Sequence, residues 1–235
     1  IEIDAATGTV RCGAGVKLPG LIGRTVREGL AGLEGLSGIP ATLGGAVRMH
    51  AGGRFGDIGS VVRTIEGVTP TGERVSLDGS EAAFAYRESG LGDLIVTRVT
   101  RALAPGHQSE IEARRAACME AKAASQPLRE KSAGCWFRNP TLAVDLDGIG
   151  TAGERISAGL LIDRAGCKGL AHGSAMVSEL HANFITIARG GRAGDAIALG
   201  DEVARRVLDR FGVALRREVV VWGPGGDERA AGAGS

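Results

Sequence analysis

The chain has 235 residues, 28 Lys and Arg against 27 Asp and Glu, a formal net charge of +1, 43% hydrophobic residues and 3% aromatic residues. A balance so near zero supplies no basic field for gripping nucleic acid or an anionic membrane, so an anionic ligand must be held by local groups. Scarce aromatics leave no stacking platform for single strands, and no apolar run reaches membrane-spanning length.

Residues 1–15, "IEIDAATGTVRCGAG", alternate apolar and polar positions around a Thr-Gly turn, which predicts a hairpin that joins a larger sheet. Leu18, Ile22, Val26 and Leu30 repeat at helical spacing, with Pro19 in the first turn and Gly32 as a stop, so a helix is expected over residues 19–31. Residues 35–53, "GLSGIPATLGGAVRMHAGG", are rich in glycine and poor in charge. Strands are expected over residues 61–68, 74–77 and 94–103, with "TPTGE" as the turn between the first two. A charged, alanine-rich helix follows over residues 109–125, ended by Pro127. After a cysteine-bearing loop come a short helix over 159–165, a buried strand over 181–188, an amphipathic helix over 195–211 stopped by Gly212, and a final strand over 213–223. The Gly/Ala-rich tail, 224–235, is expected to be disordered. Strands and helices mix without regular βαβ alternation, so the class is α+β. The punctuation "APGH" and the composition change after it place a domain boundary at 104/105, giving domains 1–104 and 105–223.

The opening residues show no signal-peptide pattern. Cys12, Cys118, Cys135 and Cys167 lie far apart without a CxxC pair, which argues against a zinc site or disulfide framework and for a reducing cytoplasm. The glycine stretch reads either as tight turns or as a nest of N–H groups for a phosphate or flat cofactor; it is neither a P-loop nor a dinucleotide fingerprint. Taken singly, Arg87 reads as a surface arginine, His181 as a satisfied structural residue, Glu218 as a solvated strand-entry charge and Cys135 as a small hydrophobe.

In order along the chain, "GLEGLSGIPATLGGAVRMHAGG", "YRES", "QPLREKSAGCWFRNP", "AGLLIDRAGCKGLAHGSAMVSELHANFI" and "RFGVALRREVVVWG" resemble the UDP-N-acetylenolpyruvoylglucosamine reductase family in its shorter form, from about residue 13 to residue 223. The resemblance implies the second half of an FAD-binding domain followed by an α+β substrate domain, the first flavin-binding subdomain of such proteins having no counterpart here. It implies that NADPH reduces FAD and that FAD reduces the enolpyruvyl ether of UDP-N-acetylglucosamine to UDP-N-acetylmuramate, in peptidoglycan precursor synthesis. The family's catalytic residues map onto Arg87, Cys135 and Glu218. Arg87 would hold the developing enolate, Glu218 would help polarise or protonate it, and Cys135, where relatives carry serine, would supply the proton. A thiol, with an ordinary pKa of about 8.5, is protonated at neutral pH and a stronger acid than a hydroxyl. FAD would contact Gly38, Ile39, Pro40, Thr42, Gly44, Gly45, Ala46 and Gly52. Tyr86, Arg138, Asn139 and Asn183 would bind substrate, with Trp136 and Phe137 packing the loop. His50 and Ala41 depart from the usual asparagine and glycine. The expected partners are the UDP nucleotide and NADPH, without nucleic acid, membrane or metal, and the expected state is a cytoplasmic monomer. The rival readings are another enzyme on the same flavin-domain scaffold, such as an oxidase of a small alcohol, and a non-catalytic homologue that binds UDP-sugar without flavin.

Overall fold

The computed structural model describes residues 1–223 together with the backbone of residues 226–227. The chain divides into two compact units, Ile1–Lys122 and Ala123–Ser235.

The first unit is built on an antiparallel sheet. In chain order its elements are β1 (Glu2–Asp4), β2 (Thr9–Gly13), α1 (Leu18–Arg27), α2 (Leu43–Arg48), β3 (Val62–Val68), β4 (Arg74–Asp78), β5 (Ile95–Ala102) and the first part of α3 (Gln108–Ser125). The strand order is β1-β2-β5-β3-β4. The expected hairpin pairs Ile3 with Val10. Val10 and Cys12 point into the core beside Ile65 and Val99, against Leu18, Leu21, Ile22 and Val26 of α1. These helix positions recur at the spacing that puts them on one face.

Helix α1 stops four residues short of the expected end. Gly29, at φ +67°, turns the chain left-handed and donates its N–H to the carbonyl of Val26. Leu30 and Ala31 then pair with Ala104 and Pro105 as a short ladder. Helix α2 lies inside the stretch read as turns. Helix α3 packs on the first unit through an Arg114–Glu34 ion pair at 2.9 Å, the Cys118 thiol on the carbonyl of Gly35, and the Lys122 ammonium on the carbonyl of Ser37. Those contacts carry the first unit to residue 122, beyond the expected boundary at 104/105.

The second unit contains β6 (Lys131–Cys135), α4 (Ala158–Arg164), β7 (Ala171–His172), β8 (Ala175–Val177), β9 (Phe184–Ile187) and α5 (Ala193–Phe211). Its antiparallel sheet runs β6-β9-β8-β7. Leu199, Val203 and Val207 of α5 are buried with Trp136, Phe137, Leu161, Ile162 and Ile185. Gly212, at φ +66°, ends α5 as expected. Residues 213–223 do not form the expected continuous strand. They run beside the 136–138 loop, where Arg217 pairs with Phe137, and form a ladder only at Trp222–Gly223, opposite Gly226–Asp227. Apart from those two paired residues, the expected disordered tail lies outside the described residues. The mixture of helices and antiparallel strands is the α+β class. No helix among the described residues is long and apolar enough to cross a membrane.

Candidate active site

In the first unit the glycine stretch and the Arg87 turn come together. Thr42 caps α2 by accepting the N–H of Gly45 on its hydroxyl at 3.2 Å. The N–H of Leu43 goes to the carbonyl of Val16 and that of Gly44 to the carbonyl of Ala14, each at 2.8 Å, and that of Ala46 to the carbonyl of Thr42 at 2.9 Å. The donors that a helix start leaves over are therefore engaged within the protein. The stretch does not present the nest of N–H groups that its composition raised. Ala46 is 1% exposed in the core, so it carries the helix rather than a cofactor surface, and a Cβ added at Gly44 would meet Ala14. Gly38, Ile39, Pro40, Thr42, Gly44, Gly45 and Gly52 remain at least partly exposed. Ala41 is partly buried and packs against the core.

Residues 85–88 form a tight turn. Ala85 and Glu88 exchange backbone hydrogen bonds at 3.1 and 3.0 Å, with Tyr86 and Arg87 at the corners and Arg87 at φ +58°. The Arg87 guanidinium donates to the carbonyl of Gly52 at 2.6 Å and to that of His50 at 3.3 Å. It also lies 5.1 Å from the centre of the Tyr86 ring. These contacts fix the direction of the cation.

In the second unit Cys135 ends β6. The ladder with β9 slips between Ser132 and Cys135, Gly134 turns at φ +88°, and Cys135 then faces Phe184. Of the four cysteines, Cys12, Cys118 and Cys167 are buried, and only Cys135 is partly exposed. The loop after it is held from two sides. The N–H of Glu218 donates to the carbonyl of Trp136 at 2.8 Å, and that of Arg138 to the carbonyl of Arg216 at 2.9 Å. This brings Glu218 opposite Trp136, one residue from the thiol.

Asn183 supplies the other side. Its amide oxygen accepts from the N–H of Phe137 at 2.9 Å, its amide nitrogen donates to the carbonyl of Phe137 at 2.8 Å, and its own carbonyl accepts from the N–H of Trp136 at 2.7 Å. At 2% exposed, Asn183 holds the loop rather than offering its amide to a ligand. Asn139 accepts the N–H of Ala158, the first residue of α4, at 3.0 Å on its amide oxygen, while Ser157 caps the helix by accepting from Leu160. His181 accepts the N–H of Asn183 on Nδ1 at 3.2 Å, and burial pushes its imidazole below the ordinary range. Trp136 and Phe137 are 5% and 2% exposed and anchor the loop as expected. Residue spacing did not show the capping role of Thr42, for which a threonine three residues before a glycine N–H was the available signal, nor the long-range bond from Ala158 to Asn139.

Comparison with known proteins agrees with both units. Residues 1–78 match the FAD binding domain family, and residues 126–222 match the C-terminal domain family of UDP-N-acetylenolpyruvoylglucosamine reductase. This defines a protein of the FAD-linked oxidase/reductase fold carrying a second, α+β domain. The relative from Rhodospirillum rubrum, named UDP-N-acetylenolpyruvoylglucosamine reductase, is 41% identical over 98% of this chain and 70% of its own length. The like-named protein of Desulfosudis oleivorans is 40% identical over 90% of this chain and 66% of its own length. The crystal structure of UDP-N-acetylenolpyruvylglucosamine reductase from Thermus caldophilus superposes with a TM-score of 0.77 at 40% identity, covering 94% of this chain and 74% of that one. The chain belongs to the UDP-N-acetylenolpyruvoylglucosamine reductase family and spans about two thirds of the length of these curated relatives.

Proposed function

We propose that this chain takes part in the NADPH-dependent, FAD-mediated reduction of the enolpyruvyl ether of UDP-N-acetylglucosamine to UDP-N-acetylmuramate. The observation that carries the reading is the Cys135 loop. A partly exposed thiol is set by a bulge at the end of β6, Arg138 and Asn139 follow it, and Glu218 lies alongside. All of them fall within the residues that match the reductase C-terminal domain. The same reading makes the chain a cytoplasmic monomer whose partners are the nucleotide and NADPH.

For FAD, Gly38, Ile39, Pro40, Thr42, Gly44, Gly45 and Gly52 are assigned to the cofactor surface, since all of them are at least partly exposed. With the first N–H groups of α2 engaged, this rim offers shape rather than donors for a diphosphate. When bound, FAD would supply the hydride, taken from NADPH, to the terminal carbon of the enolpyruvyl group.

The chain's own residues then have separate tasks. As the carbon–carbon double bond accepts hydride, its electron pair moves to the adjacent carbon and into the carboxylate. Arg87, pre-aimed by two carbonyls, is assigned to that developing charge, where a fixed cation is worth most. The Cys135 thiol is assigned to protonate the adjacent carbon, and the thiolate left behind recovers a proton from solvent. Glu218 is assigned to polarise the intermediate. Arg138 is assigned to the diphosphate, which suits a guanidinium, with Asn139 beside it and Tyr86 as a further substrate contact. The net change is the addition of two hydrogens to the substrate and oxidation of NADPH.

The test is NADPH oxidation with FAD added in excess, with and without the enolpyruvyl nucleotide, and mass analysis of the product. Nucleotide-dependent oxidation giving a product heavier by two hydrogens is expected. Cys135→Ser should keep substantial turnover, and Cys135→Ala should lose on the order of 10²–10⁴-fold, the usual worth of general-acid assistance. Nucleotide binding without any turnover would favour a UDP-sugar-binding protein instead.

A further inference from the structure

His50 follows α2 with φ +42°, in the left-handed region. Its Nδ1 lies 2.6 Å from the carbonyl of Ala85 and its Nε2 lies 3.0 Å from Oδ1 of Asp57. One face of the ring packs on Phe84, with centroids 4.9 Å apart and planes tilted by 30°. Its own carbonyl accepts from Arg87 at 3.3 Å. Ala85 is the base of the turn that carries Tyr86 and Arg87, so a single residue holds both the base of the turn and the guanidinium at its tip.

The other half of the circuit is the short ladder in which Gly52 pairs with Asp57. The carbonyl of Gly52 accepts from Arg87 at 2.6 Å, and Asp57 is steadied by the N–H of Ser60 at 3.0 Å. Burial pushes the Asp57 carboxyl up, but the bonds from His50 and from the backbone of Ser60 and Gly59 outweigh it and leave the group below the ordinary carboxylate range. Asp57 is therefore an ionised acceptor. A carbonyl and a carboxylate can only accept, so the two ring bonds together need hydrogen on both nitrogens.

We propose that His50 is a positioning residue for Arg87: its doubly protonated ring clamps the Tyr86–Arg87 turn to the Gly52–Asp57 ladder, and the clamp opens on one side when the ring loses a proton. The charged side chain bonded to the ring is Asp57, and the Arg87 guanidinium reaches the backbone carbonyl of the same histidine. Neutral imidazole has one donor, so rising pH leaves either Ala85 or Asp57 without its bond. The importance of this for catalysis rests on the role given to Arg87 above, whereas the clamp itself is a property of this chain.

Tyr86 is the single tyrosine of the chain, and the Arg87 guanidinium sits over its ring, so its ring signals report the turn alone. The experiment is carbon-13 NMR of the full chain labelled in tyrosine, followed from about pH 5 to pH 8, the range in which histidine changes charge. The wild-type Tyr86 ring peaks should move with pH. In His50→Ala they should sit elsewhere and cease to move over that range. In Asp57→Asn the peaks should also sit away from wild type, because the bond at Nε2 has lost its carboxylate acceptor. Peaks that coincide with wild type in both variants, with circular dichroism showing intact folds, would overturn the proposal. Should His50→Ala fail to fold, the shift or its absence in Asp57→Asn decides. An inactive wild-type enzyme would remove the role given to Arg87 and leave this measurement standing.

Discussion

Gly200→Ala probes how the thiol loop is anchored. The Trp136 indole lies against α5 at Gly200, where an added Cβ would stand 2.2 Å from Nε1, 2.7 Å from Cε2 and 3.1 Å from Cδ1. Ordinary non-bonded contacts are about 3.5–4.0 Å, so the ring must retreat by roughly an ångström or α5 must bend. Overpacking of this kind costs about 1–3 kcal/mol, and alanine returns about 1 kcal/mol through its helix propensity. With backbone-attached carbon driven onto a buried ring the upper part of the range applies, so a net loss of about 2 kcal/mol is expected, roughly 4–8 °C for a chain of this size. Gly194→Ala is the control: it lies in the same helix, and a Cβ there meets nothing within 4 Å. Thermal unfolding of both variants, with tryptophan emission in a Trp222→Phe background, gives the readout. The neighbouring Cys135 should change its alkylation rate as the indole moves. A Gly200→Ala protein melting at or above wild type with unaltered Trp136 emission would refute the packing described here.

Native protein should react with one equivalent of a thiol reagent quickly and three slowly, because only Cys135 is partly exposed; two or more fast thiols would contradict that burial pattern. Asn183→Ala should cost about 2–4 kcal/mol in denaturant unfolding, since it leaves the buried N–H and carbonyl of Phe137 without partners. The depressed Asp57 carboxyl contributes stability that is present above the ordinary aspartate value of about 3.9 and is lost as pH falls through the folded value. Wild type should therefore destabilise more steeply than Asp57→Asn on acidification below about pH 4, and parallel acid limbs would remove this contribution.

The sequence shows α1 and α5 clearly because Leu18, Ile22 and Val26, and Leu199, Val203 and Val207, recur at the period that buries one helix face. It hides α2 because Gly44 and Gly45 are poor helix formers, and the helix stands on its Thr42 cap and on bonds from Leu43 and Gly44 to distant carbonyls. The apolar run before Trp222 looks like a strand, yet its neighbour is the 136–138 loop, and pairing depends on what the fold puts alongside. At the site, the stretches around Arg87, Cys135 and Glu218 were legible from family resemblance. What Asn183 and Asn139 do was not, because an amide suits a phosphate and a backbone peptide equally well and only coordinates show which it meets. The His50–Asp57 pair spans a loop and a ladder and has no sequence period to reveal it.

The central claim is that the loop bearing Cys135 seats the nucleotide substrate, and the most direct measurement is protection of Cys135 from alkylation, followed by peptide mass spectrometry on the intact chain. The enolpyruvyl UDP-sugar should slow modification of Cys135 in a saturable way, UDP alone should do so more weakly, and an unrelated dinucleotide should have no effect, while the slow reaction of Cys12, Cys118 and Cys167 stays unchanged by any of them. A Cys135 alkylation rate unchanged by saturating enolpyruvyl nucleotide would contradict the account.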